Sequence, residues 1–181
     1  MDAPWECIEA KSRGSFRVFD LSELVCRSPR TGQPHSFYVL DSQDWVNVIP
    51  VTRDRQIVCI RQWRPGTQQI ELEVPGGLVD AGESPMDAAA RELREESGYT
   101  ASALTHLGTM APNPAILSNQ CHFFAAFDAC LSHKQELDAG EAISVVLVDQ
   151  DEVPTLIQTG VIRSGIIVAA LCYFMMFQQT E

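Results

Sequence analysis

The sequence predicts an α+β or α/β fold, a mixed β-sheet sandwiched by helices, with a small β appendage at the N-terminal end. Three observations carry that expectation. Apolar, β-branched runs such as VNVIPV and QIVCIRQW recur along the chain; one capped helical pattern stands in the middle and an apolar one near the end; the first 44 residues hold only extended segments and turns. The expected organisation is an appendage at 1–44 and a main domain at 45–181. With 181 residues and 45% hydrophobic content, the chain is long enough to bury a core.

Taken in order, residues 14–28 and 34–42 read as two extended segments joined by the turn cluster SPRTGQPH, which together make a hairpin. From Trp45, VNVIPV and QIVCIRQW flank the polar turn TRDRQ and predict two strands, and a further strand is expected over Gln69 to Val74. Ser84 as N-cap, Pro85 at the first helical position, Asp87 closing a capping box and Gly98 as a stop then predict a helix at about 85–97. Met86, Ala89, Ala90, Leu93 and Ser97 follow 3–4 spacing, a stripe of mostly small residues suited to lie against a sheet. HLGTMA and QCHFFAAFDA predict strands around the loop PNPAILSN, AISVVLVD a strand after DAGE, and residues 163–177 a last helix.

A net charge of −11 argues against nonspecific binding to nucleic acid or anionic membrane, since either polyanion is repelled. Any phosphate-bearing partner must be met locally by cations. The six cysteines include no C-x-x-C pair, so neither a zinc ribbon nor a disulfide framework is expected, and idle thiols in a reducing cytoplasm are. The opening MDAPWEC has no basic and no apolar region of a secretory signal. The apolar run from Gly165 to Phe177 is shorter than the ~20 residues a membrane span needs.

The helix poses the functional question. Glu92, Glu95 and Glu96 stand at i, i+3 and i+4, so their carboxylates share one face. Without a cation the arrangement is unfavourable by a few tenths of a kcal/mol per like-charge neighbour, at roughly 0.2–0.5 each. A divalent ion outweighs that, and hard oxygen ligands without histidine or thiolate select Mg²⁺ or Mn²⁺. A solvated acidic face is the alternative for three glutamates taken alone.

The surrounding residues decide between them. The stretch resembles the Nudix hydrolase box, G-x5-E-x7-R-E-U-x-E-E-x-G-U, where U is bulky and apolar: here Gly77, Glu83, Arg91, Glu92, Leu93, Glu95, Glu96, Gly98 and Tyr99. At usages near ~5–7% for each fixed position, a chance match is about one in a billion per start. Tyr99 is aromatic where an aliphatic residue is commoner. The resemblance implies a Nudix α/β/α sandwich in which Glu92, Glu95 and Glu96 ligate Mg²⁺, Glu83 supports or joins them, Gly76 offers its carbonyl, and Arg91 holds Glu95 as an ion pair. It further implies hydrolysis of a diphosphate, with Glu141 in DAGEAISVV as metal ligand or base. Ala139 stands where the family's loop often carries another acid, and Glu136 or a box glutamate are other candidates for the base.

QWRPGTQQIELEVPGG resembles the Q-Y-R…E-x-P-A-G segment of the ADP-ribose pyrophosphatase branch, with Trp63 for tyrosine and Gly76 for alanine. That branch implies an ADP-ribose-like substrate and a homodimer that exchanges the N-terminal element. PNPAILSNQ keeps a proline near the expected place and lacks the branch's glycine and acid. Arg61 and Arg64 are candidates for phosphate or ribose contact, Trp63 for base stacking and Glu73 for the substrate site; an ion pair of Arg64 with Glu71 or Glu73, and Trp63 in a core or dimer interface, are the structural alternatives. His122 reads as a sheet histidine. Removal of damaged nucleoside triphosphates, or a non-catalytic nucleotide-sensing domain, are the competing functions.

Overall fold

The computed structural model describes residues 3–179. The chain divides into two compact units, one running to Gln43 and taking in Ala111–Gln120, the other comprising Asp44–Met110 and the chain from Cys121 onward.

The first unit is an antiparallel sheet of three strands, β1 (Glu6–Ser15), β2 (Asp20–Arg27) and β3 (Pro34–Asp41). The hairpin expected from the sequence is therefore one strand short. ECIEAKSRGS of β1 is exposed at nine of its ten positions, so it lacks the one-sided alternation by which a strand is recognised. Backbone pairing with β2 holds it, with register shifts at Cys7/Glu9 and Ser12/Gly14, and Arg13 pairs with the buried Glu23. Leu40 N–H donates to the Ile116 carbonyl at 2.8 Å, which ties the 111–120 loop to β3.

The second unit is built on β4 (Trp45–Val51), β5 (Gln56–Arg64), β6 (Gln69–Glu73), β7 (Gly76–Leu78), β8 (Tyr99–Thr100), β9 (Thr105–Met110), β10 (Cys121–Phe127), β11 (Cys130–Leu131) and β12 (Ile143–Asp149), with helices α1 (Pro85–Ser97), α2 (Val153–Gln158) and α3 (Gly165–Gln178). Its seven-stranded sheet runs β12-β5-β4-β10-β9, with β6 on β5 and β7 on β4; only β4 and β10 pair in parallel. Strand β4, at the centre of this sheet, is buried on both faces, which is why VNVIPV is a nearly continuous apolar run. Successive residues point to opposite sides: Phe124 packs with Val46, Val48, Ala89 and Leu93 of the α1 layer, and Phe123 with Ile49, Leu171 and Phe174 of the α3 layer. This is the mixed-sheet sandwich that the sequence predicts.

Helix α1 starts where its cap places it, the Ser84 hydroxyl accepting from Asp87 N–H at 3.1 Å, and ends at Gly98 in the left-handed region, φ 75°. Its buried face is rotated from the expected stripe: Ala88, Ala89, Leu93, Glu96 and Ser97 are inside, while Met86 and Ala90 are exposed. The rotation matters because it carries Glu96 inward. Among the described residues no helix is long and apolar enough to cross a membrane. All six cysteines are free thiols, three of them buried.

Candidate active site

Strand β7 and the loop behind it bring the acidic residues together. Gly77 pairs with Val46 on β4, and a Cβ added there would lie 2.2 Å from Glu92 Oε1, so only glycine lets that carboxylate reach the strand. Gly76 N–H donates to Glu96 Oε2 at 2.8 Å, joining the strand to the helix over twenty residues of sequence.

Arg91 is the hub of the outer carboxylates. Its Nε and Nη2 each donate at 3.0 Å to the two oxygens of Glu83, Nη1 donates to Glu92 at 2.8 Å and Glu95 at 3.3 Å, and Nη2 also donates to the Leu78 carbonyl at 3.0 Å. The expected Arg91–Glu95 pair is present as one arm of this fork. Arg91 and the Asp80 N–H hold the Glu83 carboxyl below its usual range, with Arg91 the larger cause.

Glu96 is placed differently, 2% exposed and facing Glu92 and Glu141. Burial first, then repulsion from those two, pushes its carboxyl up to about 8. Glu92 is raised for the same reasons, burial leading and Glu95 and Glu141 adding, even though its partner Arg91 is strongly stabilised in the charged form. One arginine shared among three carboxylates does not neutralise this pocket.

Glu141 reaches the group from the 132–141 loop, whose anchoring the sequence does not reveal. The open carbonyls at the end of α1 are filled by that loop: Gln135 Nε2 donates to the Glu96 carbonyl at 2.5 Å, Glu136 N–H to that of Glu95 at 2.8 Å, and His133 N–H to that of Gly98 at 3.0 Å. Glu141 Oε2 accepts from Asp138 N–H at 3.0 Å. Glu136, the other candidate base in this loop, is engaged by Arg94 at 2.8 Å.

Across from these acids, residues 60, 62 and 64 of β5 and 69, 71 and 73 of β6 share one sheet face. Arg64 forks onto Glu73, with Nη2 at 2.5 Å and Nε at 3.1 and 3.2 Å. Burial opposes the Arg64 charge, but Glu73, then Glu96 and Glu141, outweigh it, so Arg64 stands within the field of the helix carboxylates. Glu71 pairs instead with Arg163, a residue just before α3 that has no motif around it. Arg61 and Trp63 point to the other face; Trp63 is 54% exposed opposite the exposed Ile70, and neither lines the cavity that holds Arg64, Glu73 and Gly76. His122 bonds the Thr109 hydroxyl at 2.9 Å and Asp44 at 3.3 Å, away from this group.

Among the described residues no three His, Cys, Asp or Glu side chains form a preset metal site, and Arg91 engages both oxygens of Glu83 and one each of Glu92 and Glu95. The donor set nevertheless fits a hard dication: every group is oxygen, and the raised Glu92 and Glu96 mark negative charge that the protein leaves unbalanced.

A mixed sheet between helices, with a glycine strand feeding a glutamate-lined helix, defines the class of an α/β/α sandwich carrying an acidic site. The family described as NUDIX domain matches residues 42–171, and the chain belongs to it. It is similar to the ADP-ribose pyrophosphatase of Bacillus subtilis, 33% identical over 63% of this chain and 62% of that protein. It is also similar to the ADP compounds hydrolase NudE of Escherichia coli, 36% identical over 48% of this chain and 46% of that protein. Among solved structures, a crystal structure of an ADP compounds hydrolase has the same fold, with a TM-score of 0.88 over 98% of this chain and 96% of that one at 23% identity. The chain thus spans less than two thirds of either curated relative.

Proposed function

We propose that this protein is a Mg²⁺-dependent pyrophosphohydrolase that cleaves the diphosphate of a nucleoside diphosphate sugar, ADP-ribose first, giving AMP and a sugar phosphate. The observation that carries the reading is the pair of underneutralised carboxylates, the buried Glu96 and the part-buried Glu92, within the field of Glu141 and Arg64, with Glu96 bonded to Gly76 N–H. Glu92, Glu95 and Glu96, with the Gly76 carbonyl, Glu83 and Glu141, would hold Mg²⁺, for which Mn²⁺ can substitute. When bound, the ion neutralises phosphate oxygens and the charge that builds on the leaving group.

The chain's own residues do the rest. Arg91 keeps the helix carboxylates aligned, and Arg64, fixed along one edge by Glu73, donates to non-bridging phosphate oxygens. Water's oxygen bonds to one phosphorus as the bridging P–O bond breaks, and its proton passes to Glu141. Arg61 and Trp63, which face away from the cavity that holds Arg64, take no part in the proposed contacts. A homodimer through residues 1–44 completes the proposal, supported by the large apolar side chains Ile8, Phe37 and Tyr38 that β1 and β3 expose. A dimeric mass by light scattering is expected; a monomer contradicts it.

The test is a panel of nucleoside diphosphate sugars and nucleoside triphosphates with Mg²⁺ in ¹⁸O-water. AMP and sugar phosphate, one of them labelled, are expected. Pyrophosphate released from triphosphates alone, or tight binding without turnover, overturns the reading.

A further inference from the structure

A cavity of about 640 Å³, within the ~300–1,000 Å³ range of small-molecule sites, opens beside Gly76 and Gly77 and runs toward the start of α3. Two arginines line it in the same way. Arg64 uses Nε and Nη2 on Glu73, and Arg163 uses Nε and Nη2 on Glu71, at 2.9 and 2.7 Å, and on Gln69 at 2.6 Å. Glu71 and Glu73 are 4% and 5% exposed and, two apart on β6, face the same way. Neither Nη1 makes a hydrogen bond to a described residue, so each planar fork is locked along one edge and keeps two donors unspent.

The two forks differ in what surrounds them. Arg64 lies in the field of Glu96 and Glu141, next to where phosphate belongs. Arg163 is matched by Glu71 alone, whose carboxyl is held down to about 2 by Arg163 and then by the Thr67 hydroxyl. A neutral Arg–Glu pair sets N–H donors beside carboxylate lone pairs. A hydroxyl, which both accepts and donates, matches that side-by-side arrangement. Trp45, Ile166 and Ile167 supply apolar walls for the carbon faces of a ring.

We propose that Arg163 and Glu71, with Thr67, read the vicinal hydroxyls of the sugar half of the substrate, so that Arg163 is a specificity-determining residue. The assignment rests on the diphosphate-sugar reading above. It extends that reading from the cleaved bond to the group beyond it.

The experiment compares ADP-ribose with its analogue lacking both hydroxyls of the terminal diol, on wild-type protein, Arg163→Lys, and the double variant Glu71→Gln with Arg163→Gln. Arg163→Lys keeps the charge pair but loses the fork; the double variant leaves no unpaired buried charge. Wild type should show a KM for ADP-ribose lower by roughly tenfold or more, as lost hydrogen bonds to a charged pair imply. Both variants should lose that preference. Equal KM values on wild type, or variants that lower kcat in the same proportion for both compounds, overturn the proposal. If wild type cleaves neither compound, the hydrolase reading fails separately, and calorimetric binding decides this one: tighter binding of the diol compound, lost in the variants, upholds it, and equal affinities overturn it.

Discussion

Glutamates withdrawn from water stand at two places, on strand β6 and on helix α1, and their electrostatics are opposite. On β6, Glu71 and Glu73 each hold an arginine fork, and Glu71 is pulled down to about 2. At α1, Glu92 and Glu96 share a single arginine with their neighbours, or have none, and both are pushed up, Glu96 to about 8. Hydrogen-bonding partners outweigh burial at Glu71, whereas at Glu92 and Glu96 burial leads and neighbouring carboxylates add to it. On the reading proposed above, the satisfied acids bracket a ligand and the unsatisfied cluster takes a cation.

The comparison breaks most sharply through activity. Glu95→Gln or Glu96→Gln should lower turnover by roughly 10²- to 10⁴-fold, with circular dichroism unchanged, because a lost ligand removes charge neutralisation in the transition state. Near-normal rates in both variants would put the ion elsewhere. Arg91→Met, which strands Glu83 and Glu92, should cost about 2–4 kcal/mol in urea unfolding, toward the lower end because the side chain is 26% exposed.

Stability against pH sharpens the contrast. Glu96 is raised from 4.5 to about 8, so the folded state holds its proton more tightly than the unfolded chain. The contribution is fully present below 4.5 and is lost as pH rises to 8, so Tm of chelator-treated protein should fall across that window and recover with Mg²⁺. Glu71, lowered from 4.5 to about 2, has the reverse sign: its contribution is present above 4.5 and is lost as pH falls toward 2. Glu96→Gln should flatten the neutral-side loss and leave the acid-side loss, and Glu71→Gln the converse; identical Tm profiles for the two would erase the distinction. On a smaller scale, Gly77→Ala should displace Glu92 and reduce kcat/KM about tenfold or more, and Ser84→Ala should cost ~1 kcal/mol with little effect on catalysis.

What the sequence discloses is what its local chemistry fixes. Ser84, Pro85, Asp87 and Gly98 bound a helix of 13 residues, and Glu92, Glu95 and Glu96 lie on it, so both were legible. Apolar runs marked β4, β5 and β10 because the centre of the main sheet is buried on both faces, and β12 because its residues are apolar even where they are exposed. Strand β1 was missed because its partner, not its own pattern, makes it a strand. The same holds for the site. Arg64 and Glu73 are nine residues apart and could be paired on paper, whereas Arg163 and Glu71 are 92 apart and share no motif. Gln135, which fastens the Glu141 loop to α1, likewise acts over 39 residues. The inward turn of Glu96 depended on which face of the helix packs, which Met86 and Ala90 obscured.

The most direct test of the central claim is binding of the ion itself, read by the electron paramagnetic resonance of Mn²⁺ titrated into wild-type protein, Glu92→Gln and Glu96→Gln at pH 8. Wild type should bind Mn²⁺, with Mg²⁺ competing, and each variant should weaken that binding by roughly tenfold or more. Mn²⁺ held equally by all three would contradict the account.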